Sequence, residues 1–336
     1  MIRHEVLGLP GHDNALWVEV DSGQSCDMLV FDCGEACLHR KTLGELQQVS
    51  HLFFSHLHMD HVSGFDTFFR ANFNRGVIPV HIWGPPGSAE ILQGRMRGYW
   101  WNFTYDEDTA WYVHEVGAEQ ITTYQFWLNQ YFATAHPMPA QPRSRYLVET
   151  ASYTVEAHEL EHKGVSLGYI IREKPRTNLD PAQLALLGLP PGPWIKQLKE
   201  ATDADAMILI DGQSYQVSQL RAKLLTTTMG DSIGYFTDFG FHTATLGRIV
   251  PALQGVTTLV CESSYHPDDE ELANRNTHLT SVQAAQLGQA TQVGQLVLFH
   301  FSPRYTMEDW REMLELARGV FDRATVSPLW KRFATG

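Results

Sequence analysis

The sequence predicts an α/β fold, and three observations carry that reading. Short apolar runs alternate with amphipathic stretches, most regularly through the last third of the chain. Three successive runs there end on Asp238, Glu262 and His300. A further run, at 52–54, opens directly onto His56, His58, Asp60 and His61. Polar groups gathered at strand ends are what a site at one edge of a sheet requires.

Composition sets the outer limits. With 336 residues and 43% hydrophobic content, the chain is long enough for one large domain or two small ones. The formal charge is -13, from 38 acidic and 25 basic residues, so no overall basic footprint for nucleic acid exists. A polyanionic substrate would have to be held by bound metal and a local basic arm. Residues 1–10 lack a charged-then-apolar signal pattern, and no run approaches the roughly 18 apolar residues of a membrane span. A cytoplasmic protein is expected. Four cysteines, at 26, 33, 37 and 261, are too few for a disulfide framework, and free thiols are expected although Cys33 and Cys37 could pair on spacing.

Residues 5–9 and 15–20 read as the first strands, separated by the turn Pro10-Gly11-His12-Asp13-Asn14. The next strand, 28–31, runs into Asp32, which either supports a ligand imidazole from behind or simply makes a turn. A short helix over 43–48 precedes the strand that delivers the histidines. In extended backbone i and i+2 share a side, so His56 and His58 can grip one ion, while Asp60 and His61 on the following turn face a second. Imidazole and carboxylate suit zinc or a similar divalent ion. A histidine-rich surface loop is the plain alternative, but imidazoles packed against an apolar strand are costly to desolvate unless something binds them.

Residues 65–73 suggest a helix leaving this loop, and 80–83 a strand closed by Gly84-Pro85-Pro86-Gly87, with another helix from near Ser88. Aromatic residues crowd 98–132, which reads as an aromatic-rich insertion serving as core packing, a subunit interface or a lid. A three-proline loop over 133–146 leads to the strand 153–157, and this to His158 and His162. After a strand at 166–171 the alternation breaks. The excursion 172–206 holds a proline-rich tip, Pro190, Pro191, Gly192, Pro193 and Trp194, and a mild positive balance that includes Lys196. A hairpin over 207–210 and 214–217 is expected to return to the domain. Helices are expected over 281–290 and 307–320.

The pattern His-x-His-x-Asp-His at 56–61 resembles the metal-binding signature of the metallo-β-lactamase superfamily. Taken in order, the segments are similar to the transfer-RNA 3′-processing endonucleases, the tRNase Z (ribonuclease Z) family. The likeness runs through Leu29 to Glu35, His56 to His61, and His162 with Gly168-Tyr169. It continues through Gly188 to Pro193, Leu198-Lys199, Phe236-Thr237-Asp238, His278-Leu279-Thr280 and His300 to Tyr305. The family's Pro-x-Lys-x-Arg-Asn loop is here only Pro10 to Asn14, and its His-Glu-Ala-Thr segment appears as Cys261-Glu262-Ser263-Ser264.

The resemblance implies one metallo-β-lactamase domain over 1–336, an αββα sandwich with the projecting arm 172–206 inserted in it. It implies two zinc ions: His56, His58 and His162 on one, Asp60, His61 and His300 on the other, and Asp238 bridging. Catalysis would be attack on phosphorus by metal-activated hydroxide, with His278 as the catalytic histidine, Glu262 orienting it, and Asp60 as a further proton acceptor. Pro191, Gly192, Pro193 and Lys196 would belong to the arm that grips transfer RNA, and a homodimer is expected. The reading that follows is a zinc-dependent phosphodiesterase cleaving transfer-RNA 3′ trailers. The runner-up is a phosphodiesterase of cyclic nucleotides or other small diesters.

Overall fold

Alternation along the strand Ala15–Asp21 sets the architecture. Leu16, Val18 and Val20 enter one apolar cluster, while Ala15 and Trp17 enter another. A strand buried on both faces belongs to a sheet covered on both sides. The computed structural model describes residues 1–23, 25–76, 78–105 and 109–330. In it the chain divides into two compact units, residues 1–172 with 231–336, and Glu173–Gly230.

The larger unit contains a nine-stranded and a seven-stranded sheet. One apolar cluster draws Val18, Phe31 and Phe53 from the first sheet and Val155, Tyr169 and Tyr235 from the second. The opposite face of the first sheet packs on helices, with Phe65, Phe68 and Phe69 of Phe65–Asn72 and Leu92 of Ser88–Met96 against Leu52, Ile82 and Trp111. On the second sheet, Ile249, Ala284 and Leu314 come from helices Thr243–Leu253, Ser281–Ala290 and Met307–Val320. The result is the expected αββα sandwich.

Parallel runs within each sheet decide where the chemistry collects. Cys26–Phe31, Val49–Phe53, Val80–Gly84 and Ala110–Val116 are parallel in the first sheet. Ser232–Phe236, Thr258–Glu262, Gln295–Phe299 and Ala324–Val326 are parallel in the second. Their carboxyl ends therefore point one way within each sheet, carrying Asp32, the histidine loop, Asp238, Glu262 and His300 to a common edge.

The helices expected over 43–48, 281–290 and 307–320 are present, and each starts with a reciprocal capping box: Thr42 with Glu45, Thr280 with Gln283, and Thr306 with Asp309. Thr243–Leu253 was not anticipated. It contains Pro251 in its last turn, which breaks the periodic signal and removes the N–H that would bond the Gly247 carbonyl. The four cysteines are free. Among the described residues no helix is long and apolar enough to cross a membrane.

Two expectations change. Most of 98–132 is not an insertion: Ala110–Val116 and Gln120–Trp127 are strands of the nine-stranded sheet, and Trp111, Phe126 and Phe132 are core residues. Aromatic and polar residues simply alternate between its two faces. Of the described aromatic residues in this stretch only Tyr99, Trp100 and Phe103 stay outside, at 45%, 87% and 67% exposure. The excursion 172–206 is likewise part of the longer unit Glu173–Gly230, because the hairpin Met207–Ile210 and Gln213–Gln216 does not rejoin the main domain. Its inward-facing Ile208 and Ile210 instead complete a separate core with Trp194, Leu198, Val217 and Leu220. Val217 begins a helix, Val217–Leu224, rather than ending a strand. The unit closes on itself where Arg176–Leu179 pairs with Leu225–Thr228, and at Gly230 a Cβ would come within 2.5 Å of the Glu173 carbonyl oxygen.

On the inner face of the first sheet, His51, His81 and His114 stand on three neighbouring strands. His81 Nδ1 lies 2.9 Å from His114 Nε2, whose Nδ1 is 2.8 Å from Thr123 Oγ1, and Trp83 Nε1 donates to His51 Nδ1 at 3.1 Å. Burial, then mutual repulsion, pulls His51 and His114 down to about 3, and burial lowers His81. In the unfolded chain these rings titrate near about 6.5. Between that value and about 3 the unfolded state binds protons that the folded state refuses, so stability is full above the unfolded pKa and drains as pH falls through this window. The melting temperature should therefore drop from pH 7 to pH 5, and the drop should be smaller in His114→Gln. Scanning calorimetry on both proteins checks this. An equal drop in the two would remove the network from the explanation.

Candidate metal centre

The strand Val49–Phe53 ends one turn before the histidines, and the helix Met59–Val62 begins at once, with His58 at its N-cap. This short loop is pinned from behind by Asp32, which is fully buried. Its carboxylate accepts from Ser55 N and Ser55 Oγ at 2.7 Å each, and from Tyr235 Oη and His61 Nδ1 at 2.8 Å each. Of the two sequence readings of Asp32, support of an imidazole is the one the structure contains. The same arrangement recurs around the site. Nδ1 of His56 faces Ser55 Oγ at 3.1 Å, Nδ1 of His162 faces the Thr277 carbonyl at 2.9 Å, and Nδ1 of His300 faces Ser264 Oγ at 2.9 Å. Each ring is thus held so that Nε2 points to the centre.

Two compact donor groups result, His56, His58, His162 and Asp238, and Asp60, His61, Asp238 and His300, each with its donor atoms within 4.8 Å of one another. Asp238 belongs to both. Its Oδ2 is 3.5 Å from His56 Nε2, 3.7 Å from His162 Nε2 and 3.3 Å from His61 Nε2, and its Oδ1 is 3.5 Å from His300 Nε2. Asp60 Oδ2 stands 3.4 Å from His61 Nε2 and 3.5 Å from His300 Nε2.

These residues fit a metal. His61 Nε2 is buried and has no hydrogen-bond partner although its Nδ1 is engaged, an expensive arrangement for an imidazole with nothing to bind. Nitrogen and carboxylate oxygen are the donors that zinc and its neighbours take. Burial would raise Asp238, but His300 and His61 outweigh it and hold the carboxylate well below its usual range. Burial would likewise depress His61, and Asp238 and Asp32 instead raise it.

Beside these groups Glu262, fully buried, accepts from Phe239 N on Oε1 at 2.6 Å and from His278 Nδ1 on Oε2 at 2.9 Å. Burial works against a charged His278, yet Glu262 first, then Asp238 and Asp60, lift it to about 9. A cleft of about 240 Å³ opens over the site, walled by His12, Asp13, Asp60, Tyr265, His278 and His300 among others.

Asp32, Asp238 and His300 all have left-handed backbone, with φ of 56°, 52° and 58°. Each such corner costs on the order of 1–3 kcal/mol, and Asp and His are among the residues that tolerate it best.

All the sequence-derived metal and catalytic residues come together here, whereas His158 stays outside, its Nε2 at 3.7 Å from Glu156. Pro191, Gly192, Pro193 and Lys196 lie in the second unit. There Pro193 caps the helix Trp194–Glu200, and Lys196 is 79% exposed with Glu200 at 3.9 Å. Sequence reasoning missed Thr277, Tyr235 and Ser264 as supports. Only Ser264 left a signal, two residues past Glu262 and hence on its side of extended chain.

Comparison with known proteins agrees with this architecture. The metallo-beta-lactamase superfamily matches residues 14–128. A ribonuclease Z of Deinococcus radiodurans is 45% identical over 332 residues, 99% of each chain. A ribonuclease Z of Cyanothece sp. is 30% identical over 89% of this chain and 83% of its own. Among solved structures, the Bacillus subtilis metallo-beta-lactamase fold protein YhfI superposes with a TM-score of 0.56 at 12% identity, covering 97% of this chain and 95% of that one. The human short-form tRNase Z gives 0.51 at 17% identity, over 91% and 94%.

Removing the carboxylate behind the loop tests how much it holds. Asp32→Ala leaves four buried donors without an acceptor and puts alanine at positive φ, and should cost about 3–5 kcal/mol. Tyr235→Phe removes one donor and should cost about 1 kcal/mol. Urea unfolding of metal-free protein measures both, and equal losses would deny Asp32 its central place.

Proposed function

Because this chain belongs to the ribonuclease Z family, we propose that it is a metal-dependent endoribonuclease that removes 3′ trailers from transfer-RNA precursors. The observation that carries the reading is the Glu262–His278 pair standing beside two donor groups that share Asp238. Phosphodiester cleavage needs a clamp on the phosphate and a proton for the leaving oxygen, and this arrangement offers both.

His56, His58 and His162 would hold one zinc-like ion, Asp60, His61 and His300 the other, and Asp238 both. When bound, the metal supplies polarised phosphate oxygens and a nucleophile from water at neutral pH. The chain does the rest. Glu262 accepts the Nδ1 proton of His278 and so turns its Nε2 to the cleft. Lifted to about 9, that imidazole keeps its proton at neutral pH and can deliver it to the departing ribose 3′ oxygen. Asp60, half-exposed on the cleft wall, is placed to accept a proton from the attacking water.

The unit Glu173–Gly230 is assigned to gripping RNA through Pro191, Gly192, Pro193 and Lys196, with the exposed Lys196 and Lys199 offering the positive charge that the chain as a whole lacks. Self-association is assigned to the aromatic cleft of about 560 Å³ formed by Tyr99, Trp100 and Phe103 against Phe69 and Phe73. Large exposed aromatics continuous with a core are an interface signature. Asp66 and Arg70 in the same cleft give a patch able to pair with its own copy across a twofold axis.

Incubating purified protein with a trailer-bearing precursor transfer RNA should release the trailer. Hydrolysis of cyclic nucleotides with the RNA left intact would transfer the assignment to small diesters. In His278→Ala, metal content should stay near normal while RNA turnover slows by roughly a hundredfold to ten-thousandfold. The loss should be much smaller on a p-nitrophenyl diester, whose leaving group needs no proton. Loss of metal, or equal slowing on both, contradicts the proton-donor role. Sedimentation velocity should show a dimer for the wild type and a shift toward monomer for Trp100→Ala. A wild-type monomer at micromolar concentration would refute the interface.

A further inference from the structure

The side chain of Ser264 is 3% exposed and lies between two groups treated so far as separate machinery. Its Oγ donates to Glu262 Oε2 at 2.9 Å and lies 2.9 Å from His300 Nδ1. A hydroxyl has one proton to give. Glu262 also accepts from Phe239 N, Leu279 N and His278, and the serine proton goes to it as well, so the contact with His300 is Nδ1–H donating to the serine oxygen. The polarity of the whole chain is thereby fixed: His300 Nδ1–H to Ser264 Oγ, Ser264 Oγ–H to Glu262 Oε2, and His278 Nδ1–H to the same Oε2 at 2.9 Å. His300 Nε2 is left to face Asp60 Oδ2 and Asp238 Oδ1 at 3.5 Å each.

We propose that Ser264 is a positioning residue whose single hydroxyl ties the Glu262–His278 pair to His300, setting the proton donor and the metal-holding group in register. This rests on the metal-dependent phosphodiesterase reading above, and not on RNA being the substrate. The Ser264 hydroxyl is engaged by Glu262 and His300, so it acts through them. The backbone supports it: Ser302 N donates to the Ser264 carbonyl, and Ser263 N donates to the Phe299 carbonyl, so the segments carrying Ser264 and His300 are stitched side by side. Alanine here would strand the Nδ1–H of His300 and take one donor from Glu262. Threonine would keep the hydroxyl.

The test uses the full chain with Ser264→Ala, Ser264→Thr, His278→Ala and the double variant Ser264→Ala/His278→Ala. Zinc retention is read by competition with a chromophoric chelator, which needs no substrate. Ser264→Ala should weaken it by about 10-fold to 100-fold, and Ser264→Thr should restore it. Turnover at saturating zinc is then read on two small diesters, one with a p-nitrophenyl and one with a phenyl leaving group. The phenyl to p-nitrophenyl ratio should fall about tenfold in Ser264→Ala and recover in Ser264→Thr. On the His278→Ala background the serine change should not lower that ratio further.

Weakened zinc retention with an unchanged ratio would cut the tie to His278 and overturn the proposal. So would unchanged retention, or a threonine variant as impaired as alanine. If the wild type hydrolyses both diesters but leaves precursor transfer RNA intact, the RNA reading fails while the outcome for Ser264 is still decided.

Discussion

A single buried carboxylate organises the larger unit. Asp32 lies at the end of Cys26–Phe31 with no solvent to stabilise its charge, and four donors from two separate stretches of chain replace that solvent. A charge without such partners would cost several kcal/mol, so the donors are as constrained by the acid as the acid is by them. Ser55 fixes the backbone that presents His56, His61 is turned so that its free nitrogen faces inward, and Tyr235 brings in the second sheet. The hydrogen bonds, more than the metal ligands themselves, explain how a loop of six residues keeps one shape across a sandwich interface.

The fold and the site differ in how far they can be read from sequence. His56 to His61 are legible because four donors are contiguous and follow an apolar strand. Asp238, Glu262 and His300 are legible at a lower level, since each is the first carboxylate or imidazole at the carboxyl end of a buried strand and all three strands run parallel. Thr42, Thr280 and Thr306 announce their helices because a capping box is a local interaction between residues three apart. What fails to show is whatever depends on distance. Thr277 supports His162 from 115 positions away and Tyr235 supports Asp32 from 203. No local pattern encodes such partners. The aromatic stretch misleads for a different reason: composition alone cannot tell strands rich in aromatic residues from an added segment, and the alternation of Trp111, Tyr112, Val113 and His114 is the better guide. The boundary of the second unit escapes because its hairpin has an ordinary strand pattern and only the partner core shows which unit it completes.

The left-handed corners at Asp32, Asp238 and His300 connect these two themes. Each ends a strand that runs toward the site, and the reversed backbone turns the side chain inward instead of letting the strand continue past the edge. The local strain is borne by a packed sandwich whose apolar cluster reaches both sheets. Rigidity of the frame and precision of the donors are therefore one property, and loosening the core would blur the site before it unfolded the protein.

The donors also span the chain from His56 to His300, with the whole of Glu173–Gly230 between them. A ribosome delivering roughly 5–20 residues per second exposes the first four donors many seconds before the last. Until Asp238 and His300 emerge, a nascent chain holds three members of one donor group and two of the other, and the edge strand Val165–Glu173 lacks the neighbour Ser232–Phe236 that will pair with it. The intervening unit, closed at its own neck and carrying its own core, can fold during that interval without involving the open edge. Assembly of the centre thus waits on the last third of the chain, and a product that stops short of Asp238 is left with an unpaired strand and no complete donor group.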